Sequence, residues 1–449
     1  MQTLAHSDSP NVPFAFGRFL GILILLVIYT WALVDTYDSQ IAEANTGMFP
    51  RVMTNLAWTY CLGVTFWLAT VLAKARGEPS DFFLIFYCSI VLISFLVLHS
   101  VSEEVDDQML TMFLALLIAP LAALAIFKKL IPRVKMVGVL NSSAVQNLVV
   151  GVLCLTVLAT FSNAPASAGF GLDNSYTRRL EGRQIFASGE LISYALAMSM
   201  NGFAPYLAFR AGAGNNKTLL LFSGIAAVFF FWLVGAKAPF YYVAIAFLLG
   251  TLIKMSALKY FAVLLLGGVV GFYIGVLAEW RIFDGYSMIV DYFFRRVFAV
   301  QAEVLSFYFN FLMSEKPFEW DWLRGAVDSS FQVTYFIGEA YVHNVDANVN
   351  TNAFLHALSG NGLLGYFSAV VFICVFLVVS DRLFKSSGNP AYIFLGFMYG
   401  LLIIEQAFTV AMISSGIAVL FVLTLLEKAP SVRASPSNRR LNCPAGPNL

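Results

Sequence analysis

Charge is what this 449-residue sequence has least of. Asp, Glu, Lys and Arg together make up 12% of it, about half the ~25% share of an ordinary soluble domain. Histidine is rarer, with four residues. This scarcity excludes a chain that folds in water around one core. A net charge of +1 gives no reason to expect nucleic acid or another polyanion as partner. The cysteines, Cys61, Cys88, Cys154, Cys374 and Cys443, have no paired spacing. Four lie in apolar runs and the fifth in the C-terminal tail, so neither a disulfide framework nor a metal cluster is encoded. There is no Gly-rich phosphate loop, no zinc spacing and no serine nucleophile elbow. A cleaved leader is not expected either. MQTLAHSDSPNVPFAFGR carries one basic residue, and a long apolar run follows it without a small-x-small site.

What the sequence has instead is apolar length, with 59% hydrophobic residues. A helix needs about 20 apolar residues to cross a bilayer. Twelve stretches qualify as candidates: 16–34, 52–73, 82–99, 109–127, 144–161, 190–209, 218–235, 238–252, 260–278, 361–380, 391–408 and 410–426. The expected fold is therefore all-α and polytopic, a single membrane domain over 1–429 followed by a disordered tail, 430–449, of Pro, Ser, Asn and Arg. No internal repeat stands out, which argues against a repeat-built transporter. Lys and Arg in short loops mark the cytoplasmic side. With both termini inside, most basic residues fall on the inner side and most acids outside. That orientation leaves the polar mass outside, in segments 35–51, 100–108, 162–189 and the long 279–360.

Two of these outer segments carry arginines at helical spacing. In 162–189 a Gly/Ala/Ser-rich lead runs into YTRRLEGR. Arg178, Arg179 and Arg183 follow one another closely, and Arg179 and Arg183 share a helix face at i,i+4. Such a face clamps a phosphate or diphosphate. With Glu181 and Glu190 it equally makes a solvated interfacial face. In 279–360, residues 287–313 read as an aromatic-rich helix that lies in the interface or re-enters the bilayer. Arg295 and Arg296 sit in its middle. Asp291 can pair with Arg295 at i+4, and Arg296 shares a face with Glu303 at i+7. An arginine pair in so apolar a segment needs an anion or a partner.

GEAYVHNVDANVNTNAFLHALSGNG follows, with Glu339, His343, Asp346 and His356. A histidine or carboxylate here could take a proton from a sugar hydroxyl; a lone histidine can also be purely structural. Asn350 and Asn352 suit sugar binding, because each amide offers donors and acceptors. Asn352 equally suits a helix N-cap. Gly360, Gly362 and Gly365 allow a kink or close helix approach at the start of the tenth stretch. Asp35 and Asp38 read as a solvated loop rather than a metal site, and the acids of 103–107 as a topology signal. Lys237 and Glu405 lie near outer helix ends, where they line the same cavity or snorkel.

The segments RRVF…FYFNF and NVNTNAFLHALSGNGLLGYF, over about residues 290–370, together with the long outer loop before them, resemble the oligosaccharide repeat-unit polymerases of the Wzy type. More distantly they resemble the O-antigen ligases. In that superfamily an N-x-x-L…G-x-x-G stretch precedes a spanning helix, here Asn352, Leu355, Gly362 and Gly365. The resemblance implies an enzyme of the bacterial inner membrane, with both termini cytoplasmic, acting at its outer face. It would transfer undecaprenyl-diphosphate-linked glycan onto the next lipid-linked repeat unit, making O-antigen, capsule or exopolysaccharide. It implies no nucleotide sugar, no cofactor and no metal. It further implies membrane lipids, a chain-length regulator and a flippase as candidate partners. Arginines from two outer loops would hold the diphosphates: Arg178, Arg179 and Arg183 from one, Arg295 and Arg296 from the other. The base would be His343 or Glu339, with Asp346 third. The ligases carry His immediately before this Asn; here it is Thr351, which favours polymerase over ligase. The polymerases often carry Arg and Gly eleven residues apart in both loops. Arg178 and Gly189 fit, and no arginine in 279–360 does. A lipid-linked glycan flippase, and a metal-dependent lipid-phosphosugar transferase using Asp35 and Asp38, are the alternatives.

Overall fold

A computed structural model describes residues 16–41, 55–98, 107–134, 138–171, 175–186, 189–283, 285, 287–316, 318–327, 332–345 and 347–428. The N-terminal 15 residues, the acidic Glu103, Glu104 and Asp106, Asp346 and the tail 430–449 lie outside the described residues. Apart from one two-rung ladder, in which Trp320–Asp321 pairs with Gly325–Ala326, and an isolated parallel bridge between Leu140 and Glu427, the described chain is helix and connecting loop. Among the described residues, eight helices are long and apolar enough to cross a membrane: Phe16–Ile41, Asn55–Lys74, Pro79–Leu98, Gln108–Leu130, Ser142–Phe161, Lys217–Val234, Leu258–Ile282 and Ala353–Ser387. The chain is an all-α membrane protein. The other four expected stretches are shorter or interrupted. Ala238–Lys254, Ala391–Leu402 and Ile417–Leu426 are short apolar helices. The 190–209 stretch is Leu191–Met198 and Ala204–Gly214 joined by a π-helical turn, Ser199–Phe203.

The sequence sets these elements locally. Asn216 caps Lys217–Val234, its Oδ1 accepting from the amides of Thr218 (3.1 Å) and Leu219 (3.3 Å). Gly235 closes the same helix in the left-handed region. Pro79 begins its helix at a position where no amide hydrogen is needed. Pro79–Leu98 is the centre of the bundle, with 94% of its spanning window buried. Its phenylalanines Phe82 and Phe86 pack edge-to-face with Phe261 and Phe397 at 4.9–6.1 Å between rings. Ala204–Gly214 meets Ala238–Lys254 through reciprocal glycines. A Cβ on Gly212 would lie 2.9 Å from the Thr251 amide nitrogen, and one on Gly250 would lie 2.8 Å from that of Ala213. Such small-residue contact is how apolar helices associate where no hydrophobic force separates them from lipid.

Paired buried charges gather at one end. Lys128 stands 3.6 Å from Asp381 and 3.8 Å from Asp81. Ser80 donates to Asp381 from both its hydroxyl (2.6 Å) and its amide (2.9 Å). At the same end Arg210 pairs with Glu427, which also accepts from Asn389 Nδ2 at 3.0 Å. Because these groups are mutually paired, they are the satisfied girdle that buried charge requires.

The Asn389–Glu427 contact defines the last two elements. It ties the start of Ala391–Leu402 to the end of Ile417–Leu426. A 12-residue helix rises about 18 Å, well short of the ~30 Å apolar thickness of a bilayer. The pair is therefore a broken hairpin entering from the Lys128 end, with its tip at residues 403–409.

Candidate functional site

At the opposite end, Ser175–Ile185 packs across the C-terminus of Lys217–Val234. Contacts recur at helical spacing. A Cβ on Gly235 would lie 2.6 Å from the Ser175 carbonyl oxygen, and one on Gly182 would lie 2.9 Å from Val234 Cγ1. Between them Arg178 lies over the Phe231 ring, 5.4 Å from its centroid. The lead loop is tied down as well: Glu181 accepts from the hydroxyl (2.6 Å) and amide (3.2 Å) of Ser167. Arg178 is 1% exposed. Its Nε and Nη2 donate to no partner among the described residues. A guanidinium taken out of water without an anion costs several kcal/mol. Arg179 is exposed. Arg183 lies on the same helix, but its side chain is outside the described residues.

The second arginine segment is helical throughout, π-helical over Val290–Ala299 and α-helical over Val300–Met313. The expected pair forms: Arg295 Nε donates to Asp291 Oδ1 at 2.7 Å. The expected Arg296–Glu303 face does not. It is Arg295 whose charge acts on Glu303. The reason is the π-helical stretch, whose wider i→i+5 turns rotate the following residues relative to an α-helix. Burial pushes the Glu303 carboxyl up to about 7, with Arg295 opposing. Arg296 is exposed and has no ion-pair partner among the described residues. The two arginine segments are bridged at the turn after Val234, where Lys237 Nζ lies 5.5 Å from the centre of the Tyr292 ring, three residues beyond the shelf that holds Arg178.

The candidate bases fare differently. His343 ends Val333–Val342 in the left-handed region (φ 56°) and is exposed. Glu339 is also exposed, and Asp346 lies outside the described residues. Asn350 is exposed. Asn352 is buried and is a helix N-cap, its Oδ1 accepting from Phe354 and Leu355 amides at 3.1 Å each. Its Nδ2, however, and the neighbouring Thr351 Oγ1 are buried without a partner among the described residues. The glycines act as the sequence suggests. The helix kinks at Asn361 and Gly362, and Gly362 adopts φ 60°, ψ −159°. The 320–326 hairpin closes onto the kink, with the Leu363 amide donating to the Trp322 carbonyl at 2.7 Å.

The Thr351–Asn352 step meets the tip of the broken hairpin, because the Ala353 amide donates to the Ile403 carbonyl at 2.8 Å. Two residues on, Glu405 Oε1 accepts from Gln301 Nε2 at 3.2 Å, and Tyr242 lies within its electrostatic reach. Gln406 accepts from Ser415 Oγ, which accepts in turn from Asn201 Nδ2, each at 3.3 Å. Glu405 is exposed. Sequence reasoning singled out Glu405 and Lys237 and noted Thr351 only as the residue before Asn352; it missed Gln301 and Tyr242, which look like ordinary residues of apolar helices until the fold brings them together. Asp35 and Asp38 belong to a helical extension of the first span rather than a loop, and Asp35 accepts from the Tyr273 hydroxyl at 2.7 Å. Among the described residues no group of three or more His, Cys, Asp or Glu is placed to hold a metal ion.

Neither a family model, nor a curated protein, nor a solved structure matches this chain.

Proposed function

We propose that this protein polymerises undecaprenyl-diphosphate-linked oligosaccharide repeat units into O-antigen, capsule or exopolysaccharide at the outer face of a bacterial inner membrane. The observation that carries the reading is Arg178: a fully buried guanidinium with two donors unpaired among the described residues, on a shelf at the end of the bundle away from the Lys128 girdle. A diphosphate is the anion that two nitrogens of one guanidinium hold well. Lys237, Arg295 and Arg296 on the neighbouring turn and helix extend the positive surface, and Arg179 and Arg183 follow on the same helix as Arg178.

The chemistry asks little else of the protein. The donor sugar is activated by its diphosphate. The acceptor hydroxyl attacks the anomeric carbon. The bond from that carbon to the diphosphate oxygen breaks, and the electron pair leaves with the diphosphate. Arginines aimed at the leaving group stabilise the charge that develops there, each contact contributing on the order of 10²–10³ in rate. Holding two lipid-linked substrates in line provides much of the rest.

The test is complementation of a deletion strain with wild type, Arg178→Ala, Arg296→Ala and His343→Ala, matched for membrane abundance, with the glycan read on a gel. The deletion should leave single repeat units on the outer face, and Arg178→Ala should not restore a ladder. Repeat units trapped on the inner face would mean a flippase instead. Full-length polymer left on its lipid carrier would mean a ligase.

A further inference from the structure

Resting on the polymerase reading, we propose that Glu405, at the tip of the broken hairpin, is the proton acceptor for the incoming sugar hydroxyl. Thr351 and Asn352 beside it bind the acceptor sugar.

The residues first expected to supply the base are poorly placed. His343 and Glu339 are exposed on the outside of a short helix. A base must lie within hydrogen-bond reach of the proton it takes. Glu405 is held differently, by a side chain from a second helix. It sits where the helix has unwound, between Ala391–Leu402 and the π-helical turn Val410–Ser414. One carboxylate oxygen is oriented by Gln301 at 3.2 Å, and no described residue donates to the other. The residue keeps an exposed surface while its carboxylate is largely surrounded by protein. Unwound backbone at membrane depth is tolerated where it lines a cavity, and π-helical turns cluster at functional sites. Two such turns meet here: Ser199–Phe203 brings Asn201, and Val410–Ser414 leads to Ser415.

The second observation is independent of the carboxylate. Thr351 Oγ1 and Asn352 Nδ2 are buried, 0% and 1% exposed by residue, and neither has a partner among the described residues. Buried polar groups are rarely left unpaired without a functional reason. The Ala353–Ile403 hydrogen bond holds them beside the tip. A hydroxyl acceptor and an amide donor held at the tip that also carries a carboxylate are groups that recognise a sugar ring. Gln301 follows Arg296 by five residues on the same helix, which links the site to the second arginine segment. In the transfer, Glu405 Oε2 takes the hydroxyl proton as the new carbon–oxygen bond forms at the anomeric carbon, and it returns that proton to water once the diphosphate has left.

The experiment uses the full-length protein in nanodiscs with purified lipid-linked repeat units. Polymerisation rates are measured for wild type, Glu405→Gln, Glu405→Asp, Thr351→Val and Arg178→Ala. Thermal unfolding with and without geranylgeranyl diphosphate checks folding and diphosphate binding. The expected result is a fall in kcat of about 10²–10⁴ for Glu405→Gln, with the diphosphate-induced shift intact and partial recovery in Glu405→Asp. Thr351→Val should raise KM for the acceptor with little change in kcat. A Glu405→Gln protein that polymerises at the wild-type rate while Arg178→Ala is inactive overturns the inference and leaves the polymerase reading standing. A folded wild-type protein that forms no polymer overturns both. If Glu405→Gln loses its fold, Gln301→Leu, which removes only the orienting hydrogen bond, replaces it. An unchanged rate there also counts against the inference.

Discussion

Replacing Arg178 by methionine should make the unliganded protein more stable and the enzyme inactive. Methionine keeps a long side chain against Phe231 and a favourable sulfur–ring contact, but it removes the charge. The wild-type guanidinium is 1% exposed, with Nε and Nη2 unpaired among the described residues. Its only compensation in the described structure is the Phe231 ring at 5.4 Å, a cation–π contact of about 1–2 kcal/mol when desolvated. The desolvation penalty of a buried ion is several kcal/mol even after relaxation. The difference, on the order of 1–4 kcal/mol, should appear as a higher unfolding temperature for Arg178→Met than for wild type in the absence of ligand. Adding geranylgeranyl diphosphate should reverse the order. Saturation at about 100 times Kd stabilises the wild type by about 2.7 kcal/mol and the methionine variant hardly at all. Arg178→Lys should fall between, because an ammonium keeps the charge without the planar fork. The assay is thermal unfolding in nanodiscs, paired with the polymerisation rate. An Arg178→Met protein that unfolds at a lower temperature than wild type and still responds to the diphosphate would refute the reasoning, since Arg178 would then be held by the fold for the fold's own sake.

Three further outcomes follow from the geometry. Burial holds the Glu303 carboxyl at about 7 against an ordinary 4.5, so the folded protein keeps a proton that the unfolded chain gives up. Stability from this group is complete below about pH 4.5 and declines as pH rises through about 7. Glu303→Gln should flatten that decline and unfold later than wild type at pH 8, by the equivalent of about 1–3 kcal/mol, and parallel pH curves for the two proteins would exclude a desolvated carboxyl. Gly362→Ala must place a Cβ 2.5 Å from the Leu323 carbonyl carbon at a φ of 60° and ψ of −159°. That region belongs to glycine alone, so the cost is about 3 kcal/mol or more, read as lost membrane abundance. Gly360→Ala, with nothing within 4 Å, is the control that should behave as wild type. His343→Ala should leave the glycan ladder intact, and His343→Gly should stabilise slightly because the residue occupies the left-handed cap of its helix; a missing ladder in either would return His343 to the site.

The sequence carried the apolar spans plainly, because a run of about 20 apolar residues matches the thickness of the hydrocarbon layer and suits little besides a crossing. It also carried the Gly360–Gly365 kink and the Asn352 cap, whose residue types have local meanings. It misjudged phase and length. Nothing in VDYFFRRVFA announces a π-helix, so the α-helical count placed Arg296 rather than Arg295 on the face of Glu303. The hairpin at the end of the chain is the instructive case. Residues 391–408 and 410–426 read as two crossings because both are apolar, and no proline or glycine marks the break at 403–409. The sole local signal is a Glu–Gln pair in an otherwise apolar run, which is expensive in a bilayer unless the backbone opens around it. An uninterrupted crossing would send Glu405 through the apolar layer and leave the 403–409 carbonyls within helical hydrogen bonds. The broken hairpin instead stops the chain beside Thr351, Asn352 and Gln301, three residues from two other helices that no spacing rule connects to it. The polar site exists because the last apolar segment is too short to cross. Lengthening Ala391–Leu402 by one helical turn should therefore withdraw Glu405 from Gln301 and abolish polymerisation while leaving the diphosphate response of Arg178 unchanged. Loss of both together would mean that the hairpin serves the whole bundle rather than the site.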